Sequence, residues 1–474
     1  MKLNHFDNEK FFILLIFSTI LVVFSLAFFN EFKADDFAWL YVSKITDDNL
    51  MHALTLDLGG YFRPYNHILF SAWYNLFGLN PLGYHVVNIL LFHFISGVMV
   101  YYVARKFTNR YIALVSSLIF VTLASNFDSV LFQSGGMVDN SLSTLLTLFS
   151  FIAFVKWNET SHKKYIFVSL FVFIFNLLSY EASVILPPLL FAYLFLFSKK
   201  FSFQSLIGNI RKIILYAVPL VPYLAFQYWI QIKGYVVSIG IYGIGFHILK
   251  NILDYFSSIL TLFPMIDVNY LARIGVSESL FPFISRSIIG VYIGIVLVSL
   301  YIVIKGSRSS KFFLAWYLIA VSPFLLFTTP VQSRYAYGAS VGIAILIGTI
   351  IYDTYKRLYT YFGEKKSKII SYVIVILILL GNSAATIVIE GSKFNNGASD
   401  ESIMIDFMKS RYRSFPDGSK LYFVNDSMPF SDVPLIMVMS LYYPEGVVEP
   451  RNLTVSYDQI SVTYTMYYPV NYTI

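Results

Sequence analysis

The chain contains no cysteine. A disulfide framework, a thiolate metal site and a cysteine nucleophile are therefore closed to it, while the compartment stays undecided. Charge is scarce as well, at 13% of residues against roughly 25% in ordinary globular proteins. With 57% hydrophobic residues, 46 Phe and 37 Tyr among them, the 474 residues carry more apolar surface than a soluble core could hide. The net charge of +7 is no sign of nucleic acid, because no segment gathers Lys and Arg with interleaved aromatics on a polar face. Topology explains it better.

What the chain does have is long apolar runs. A run of about 17 to 25 such residues crosses a hydrocarbon core roughly 30 Å thick, and only helices or closed barrels do so with every backbone polar group satisfied. Eleven runs read this way, near residues 11–29, 85–104, 111–125, 139–155, 164–180, 182–198, 213–232, 286–304, 312–328, 337–353 and 369–389. The first passes into Phe29-Asn30-Glu31 without a small-x-small cleavage site, so it reads as an anchor.

Lys and Arg set the orientation. With the N-terminus in the cytoplasm, 20 of the 34 basic residues but 5 of the 27 acids fall between spans on that side. An odd number of spans, with the C-terminus outside, then satisfies the positive-inside rule. The expected fold is an all-α polytopic membrane protein of about eleven transmembrane helices, residues 1–389, in the plasma membrane of a prokaryote. A small α+β extracytoplasmic tail, residues 390–474, follows; Leu421–Val424 and Leu453–Tyr468 suggest strands there. Two outer loops are large, 30–84 and 233–285. The first predicts a surface helix from Tyr65 to Phe77, bounded by Arg63-Pro64 and Gly78, and the second a surface or re-entrant helix from Ile248 to Phe263.

The first outer loop opens with Ala34-Asp35-Asp36-Phe37. Adjacent carboxylates at a bilayer surface repel each other, so one is a candidate general base; alternatively the pair holds a divalent cation, or is simply solvated. Asp139, after Gly135-Gly136 at the entrance of the fourth span, reads equally as a pocket acid and as a helix cap. His67, His85 and His93 lack metal-ligand spacing and read as bundle histidines or substrate contacts.

Taken in order, Asp35-Asp36, Tyr61-Phe-Arg-Pro-Tyr-Asn-His67, Asn80-Pro-Leu-Gly-Tyr-His85, Gln133-Ser-Gly-Gly-Met-Val-Asp-Asn140, Ser179-Tyr-Glu181 and Gln332-Ser-Arg-Tyr-Ala-Tyr337 resemble the GT-C superfamily of membrane glycosyltransferases. The nearest likeness is to the protein O-mannosyltransferase-like branch, over about residues 10–345. The resemblance implies that Asp35 or Asp36 is a catalytic base; the second member is Asp where relatives carry Glu. It implies that Arg63 faces a lipid phosphate, and that Glu181 and Arg334-Tyr335 stand at the outer ends of their spans. His67, Asp139 and Tyr337 complete the expected substrate-binding set. The implied activity moves a sugar from a polyprenyl-phosphate-linked donor to a glycan, lipid or protein acceptor among the membrane lipids. No cofactor is expected, and a divalent metal is compatible. The rival reading is a transporter or lipid-linked-sugar flippase, although no two halves match as repeats.

Overall fold

The computed structural model describes residues 5–46, 61–198, 203–232, 240, 242–261, 281–329, 332–394, 397–411, 421–423, 441–442 and 455–457. Parts of both large loops and most of the strand expected over Leu453–Tyr468 lie outside the described residues.

Each of the eleven apolar runs is helical over most of its length, with breaks such as 24–25, 123 and 325–328. The chain begins with α1 (His5–Val23), which passes through a 3-10 turn, Leu26–Phe29, into α2 (Asp36–Thr46). After the loop, α3 (Pro64–Phe77) starts with Pro at its first turn and stops at Gly78, whose φ of 57° suits a residue without Cβ. A helix thus stands where the sequence predicts one, over Tyr65–Phe77. Asn80 then caps α4 (Pro81–Phe107) by accepting from Leu82 N at 3.1 Å, and a π-helical stretch, Val87–His93, interrupts it. Asn109 caps α5 (Arg110–Thr122) through its Oδ1, which accepts from the backbone N–H groups of Tyr111 and Ile112. The run then bends by 51° into a short helix, α6 (Phe127–Leu131).

Next come a second π-helical stretch, Gln133–Ser141, then α7 (Leu142–Thr160), α8 (Lys163–Ser179), a 3-10 turn Glu181–Ile185, α9 (Leu186–Leu196) and α10 (Phe203–Gln231). The second large loop supplies α11 (His247–Leu260), with Tyr255, Phe256 and Ile259 buried while Leu249 and Lys250 face outward. The bundle closes with α12 (Phe281–Lys305), α13 (Arg308–Val321) and the 57-residue α14 (Tyr337–Lys393), broken at Gly363 (φ 75°). Among the described residues five helices are long and apolar enough to cross a membrane, or six counting the bent pair. The chain is an integral membrane protein by that measure.

Beyond α14 the tail turns back as α15 (Asp400–Arg411). Two three-residue strands, β1 (Leu421–Phe423) and β2 (Val455–Tyr457), pair in parallel with Leu421 opposite Val455.

Two clusters of buried side chains hold the fold. The larger runs through the bundle, where Phe151, Phe312 and Trp316 pack ring against ring. The smaller lies where α2, α3 and α15 meet, around Phe32, Phe37, Trp39, Phe70, Ile405 and Met408. Polar groups sort to the ends. At one end Glu9 pairs with Arg105 and Glu159 with Lys106, and Lys212 donates to Asn158 at 2.6 Å. Asp139 stands 20 residues before Glu159 along the same rod, so the opposite, acid-rich end is roughly 30 Å away.

Candidate active site

Four breaks in regular helix build the acid-rich end. Asp35-Asp36 opens α2, Arg63 precedes α3, Asp139 lies in the π-helical stretch before α7, and Glu181 opens the 3-10 turn before α9. A fifth, the 3-10 turn Ser333–Ala336 ahead of α14, carries Arg334. Helix ends expose backbone and side-chain polar groups that regular spans keep hidden, which is why a polar site collects there.

Arg63 is the centre of the best-defined part. Its Nε and Nη2 donate to Glu181 Oε2 and Oε1 at 2.9 and 2.6 Å, a fork-to-fork pair, and Nη1 donates to Asp139 Oδ2 at 2.6 Å. The rings of Tyr61 and Tyr180 flank the guanidinium, 4.5 and 4.9 Å from it. One turn on, Asn66 donates to Asp139 Oδ1 at 2.9 Å and to the Ser179 carbonyl at 2.8 Å, and accepts from Ser179 Oγ at 2.6 Å. Burial alone would lower the Arg63 pKa, but Asp139 and Glu181 outweigh it and hold the guanidinium above the ordinary arginine value. Sequence implied that Arg63 faces a phosphate; in the structure its donors are occupied by two carboxylates.

The other arginine has different neighbours. Asp35 and Asp128 lie within coulombic range of Arg334, and so does Asp139. Ser333 donates to Asp128 Oδ2 at 2.5 Å, and Ser129 Oγ donates to the Arg334 carbonyl at 3.2 Å, so α6 fastens the arginine-bearing turn. Of the acidic pair, Asp36 is buried and its Oδ2 accepts from Lys33 N at 3.0 Å, whereas Asp35 is half-buried. The structure thus brings Asp35, Asp139, Glu181, Arg63 and Arg334 into one electrostatic cluster.

His67 follows Arg63 by one turn and stacks on Trp39, ring centroids 4.9 Å apart. Burial and then the Arg63 charge push its pKa down to about 3, so the ring is neutral. Among the described residues neither ring nitrogen has a hydrogen-bond partner. The other histidines serve the bundle: His85 bridges the Asn30 carbonyl and Gln133, and His93 bridges Tyr337 and the Val121 carbonyl. Tyr337 itself is fully buried, its hydroxyl on His93 at 2.7 Å. Among the described residues no three His, Asp or Glu side chains gather as a metal site would require.

Asp128, Ser333 and Asn66 were not singled out from sequence. Asn66 had a signal, being three residues past Arg63 on a helix. For Asp128 the hint was the polar Ser125-Asn126 break between two apolar runs.

A helical bundle whose helix ends gather acids and arginines on one side is similar in fold to solved structures of membrane enzymes. ArnT from Cupriavidus metallidurans bound to undecaprenyl phosphate shares this fold, at 12% sequence identity and a TM-score of 0.54, covering 94% of this chain and 89% of that one. The same enzyme in the apo state gives 12% identity and a TM-score of 0.51 over 94% and 86%. The apo oligosaccharyltransferase of Archaeoglobus fulgidus gives 13% and 0.50 over 85% of this chain, which spans only 58% of that longer protein. No protein-family model and no curated protein matches the sequence.

Proposed function

We propose that the chain is a glycosyltransferase that moves a sugar from a polyprenyl-phosphate-linked donor to a hydroxyl-bearing acceptor at the extracytoplasmic face. The observation that carries the reading is that the Asp35 carboxylate lies within coulombic range of Arg334, on the turn before α14, at the acid-rich end of the bundle. A base and a fixed cation close together are what displacement at an anomeric carbon needs. Asp35 takes the acceptor's proton, and the hydroxyl oxygen forms the new bond to the anomeric carbon from the face opposite the phosphate. The bond to the phosphate oxygen breaks with its electron pair, and the configuration inverts. Arg334 stabilises the leaving phosphate, its planar fork suiting two oxygens. Asp36 holds the turn, through Lys33 N, rather than the proton. The Arg63, Asp139 and Glu181 triad braces the wall of the site; with two carboxylates to one guanidinium it repels a stray anion and leaves Arg334 to receive the phosphate.

The bound undecaprenyl phosphate of the similarly folded ArnT supports a polyprenyl phosphate as carrier. The gathering of paired basic groups at the opposite end of the bundle supports an outward-facing site. Purified protein in vesicles, given a polyprenyl phosphate carrying a radiolabelled sugar, tests the class. Release of free polyprenyl phosphate with label on the acceptor is expected. Label crossing the membrane still attached to its lipid would make the chain a flippase.

A further inference from the structure

The segment that carries Asp35 is held by the tail. Glu31 N donates to the Gly397 carbonyl at 2.7 Å, and Ser399 Oγ donates to the Phe32 carbonyl at 2.7 Å. Gly397 has φ 88°, and a Cβ there would meet the Phe29 carbonyl oxygen at 2.4 Å, so the two backbones approach as only glycine allows. Ser399 caps α15: its Oγ accepts from Ser402 N at 3.0 Å, and Ser402 Oγ accepts from Ser399 N at 2.9 Å. That cap fixes where the first turn of α15 points. Glu401, in that turn, is 3% exposed, and its Oε1 accepts from Ala34 N at 3.2 Å.

Ala34 is one of two non-glycine residues with positive φ among the described residues, at 48°. Alanine in the left-handed region costs about 1–2 kcal/mol, so something must hold it there. The residue after it is Asp35. The left-handed turn reverses the chain between the Phe32 carbonyl, tied to Ser399, and the start of α2, and so sets where the Asp35 side chain leaves the backbone.

We propose that Glu401 is a positioning residue: by holding the Ala34 N–H it keeps this turn left-handed and aims Asp35 at Arg334. The role given to Asp35 rests on the glycosyltransferase reading, whereas the clamp itself does not. A chain without cysteine allows a direct test. With Asp35→Cys as the only thiol, maleimide labelling reports how open the turn is, whether or not the protein transfers sugar. Adding Glu401→Leu, which loses the acceptor, is expected to raise the labelling rate by about tenfold, while Glu401→Gln, which keeps an acceptor oxygen, leaves it within about twofold. Gly397→Ala raises it as Glu401→Leu does. A lone thiol at Ser161→Cys, in the exposed turn after α7, controls for global loosening and stays constant. Equal rates with Leu and Gln at 401, or a parallel rise at the 161 control, would overturn the proposal. In the native-Asp35 protein, Glu401→Leu lowers kcat with donor KM unchanged and Glu401→Gln recovers most of it. If labelling responds as expected and no variant transfers sugar, the clamp stands and the enzymatic reading falls.

Discussion

Removing Arg63 should leave the acid-rich end with two carboxylates facing each other and no cation between them. The side chains are 14% exposed for Arg63, 9% for Asp139 and 23% for Glu181, which puts them closer to buried ion pairs than to surface ones. Breaking such a pair from one side costs about 3–5 kcal/mol, because the remaining charge keeps its desolvation and loses its partner. Arg63→Met is expected to lose that much. Arg63→Lys keeps the charge but cannot bind Glu181 bidentately while reaching Asp139, so it loses one charged hydrogen bond, about 1.5–3 kcal/mol. Pairing Arg63→Met with Glu181→Leu removes one stranded carboxylate, and the double variant should be more stable than the sum of its parts by roughly 2 kcal/mol. Denaturant unfolding in lipid nanodiscs, followed by tryptophan fluorescence, reads wild type, Arg63→Met, Arg63→Lys, Glu181→Leu and the double variant. Arg63→Met no less stable than Arg63→Lys, or strictly additive effects, would refute the view that this triad is one buried unit.

The neutral His67 makes stability depend on pH. Its folded pKa of about 3 lies below the unfolded value of about 6.5, so the unfolded chain gains a proton first and stability falls as pH drops below 6.5. Between pH 7 and pH 5 the native protein should lose about 2 kcal/mol more than His67→Gln, measured by the same unfolding assay. Because both ring nitrogens lack partners among the described residues, His67→Phe, which keeps the stack on Trp39, should stay within about 1 kcal/mol of wild type at pH 7. A Cβ at Gly136 would meet the Asp128 carbonyl oxygen at 2.3 Å, so Gly136→Ala should cost about 1–3 kcal/mol and be visible as a lowered unfolding midpoint. At the acidic pair, Asp36→Ala loses the oxygen that receives Lys33 N and should cost about 1 kcal/mol, which Asp36→Asn restores.

Helices were readable because lipid demands them: a run such as residues 213–232 has no other way to satisfy its backbone, and it is helical. Helix α3 was equally plain, since Pro64 and Gly78 mark its two ends by backbone geometry alone. Asp139 and Glu181 could be marked as candidates by their place at span ends, but their common partner could not. That Arg63 joins them depends on α3 lying across the ends of α7 and α8, a packing relation 76 and 118 residues apart in sequence. Asp128 escaped notice for the same reason, its importance coming from Ser333, 205 residues away. The division of labour proposed for Asp35 and Asp36 rests on one hydrogen bond to Lys33 N and one tail glutamate, neither of which a residue pattern encodes.

The most direct measurement compares wild type with Asp35→Asn in single-turnover release of polyprenyl phosphate from one purified sugar donor. The account predicts a fall of about 10²- to 10⁴-fold in the rate of the chemical step, with donor binding retained. Release at the wild-type rate from the Asp35→Asn protein would contradict it.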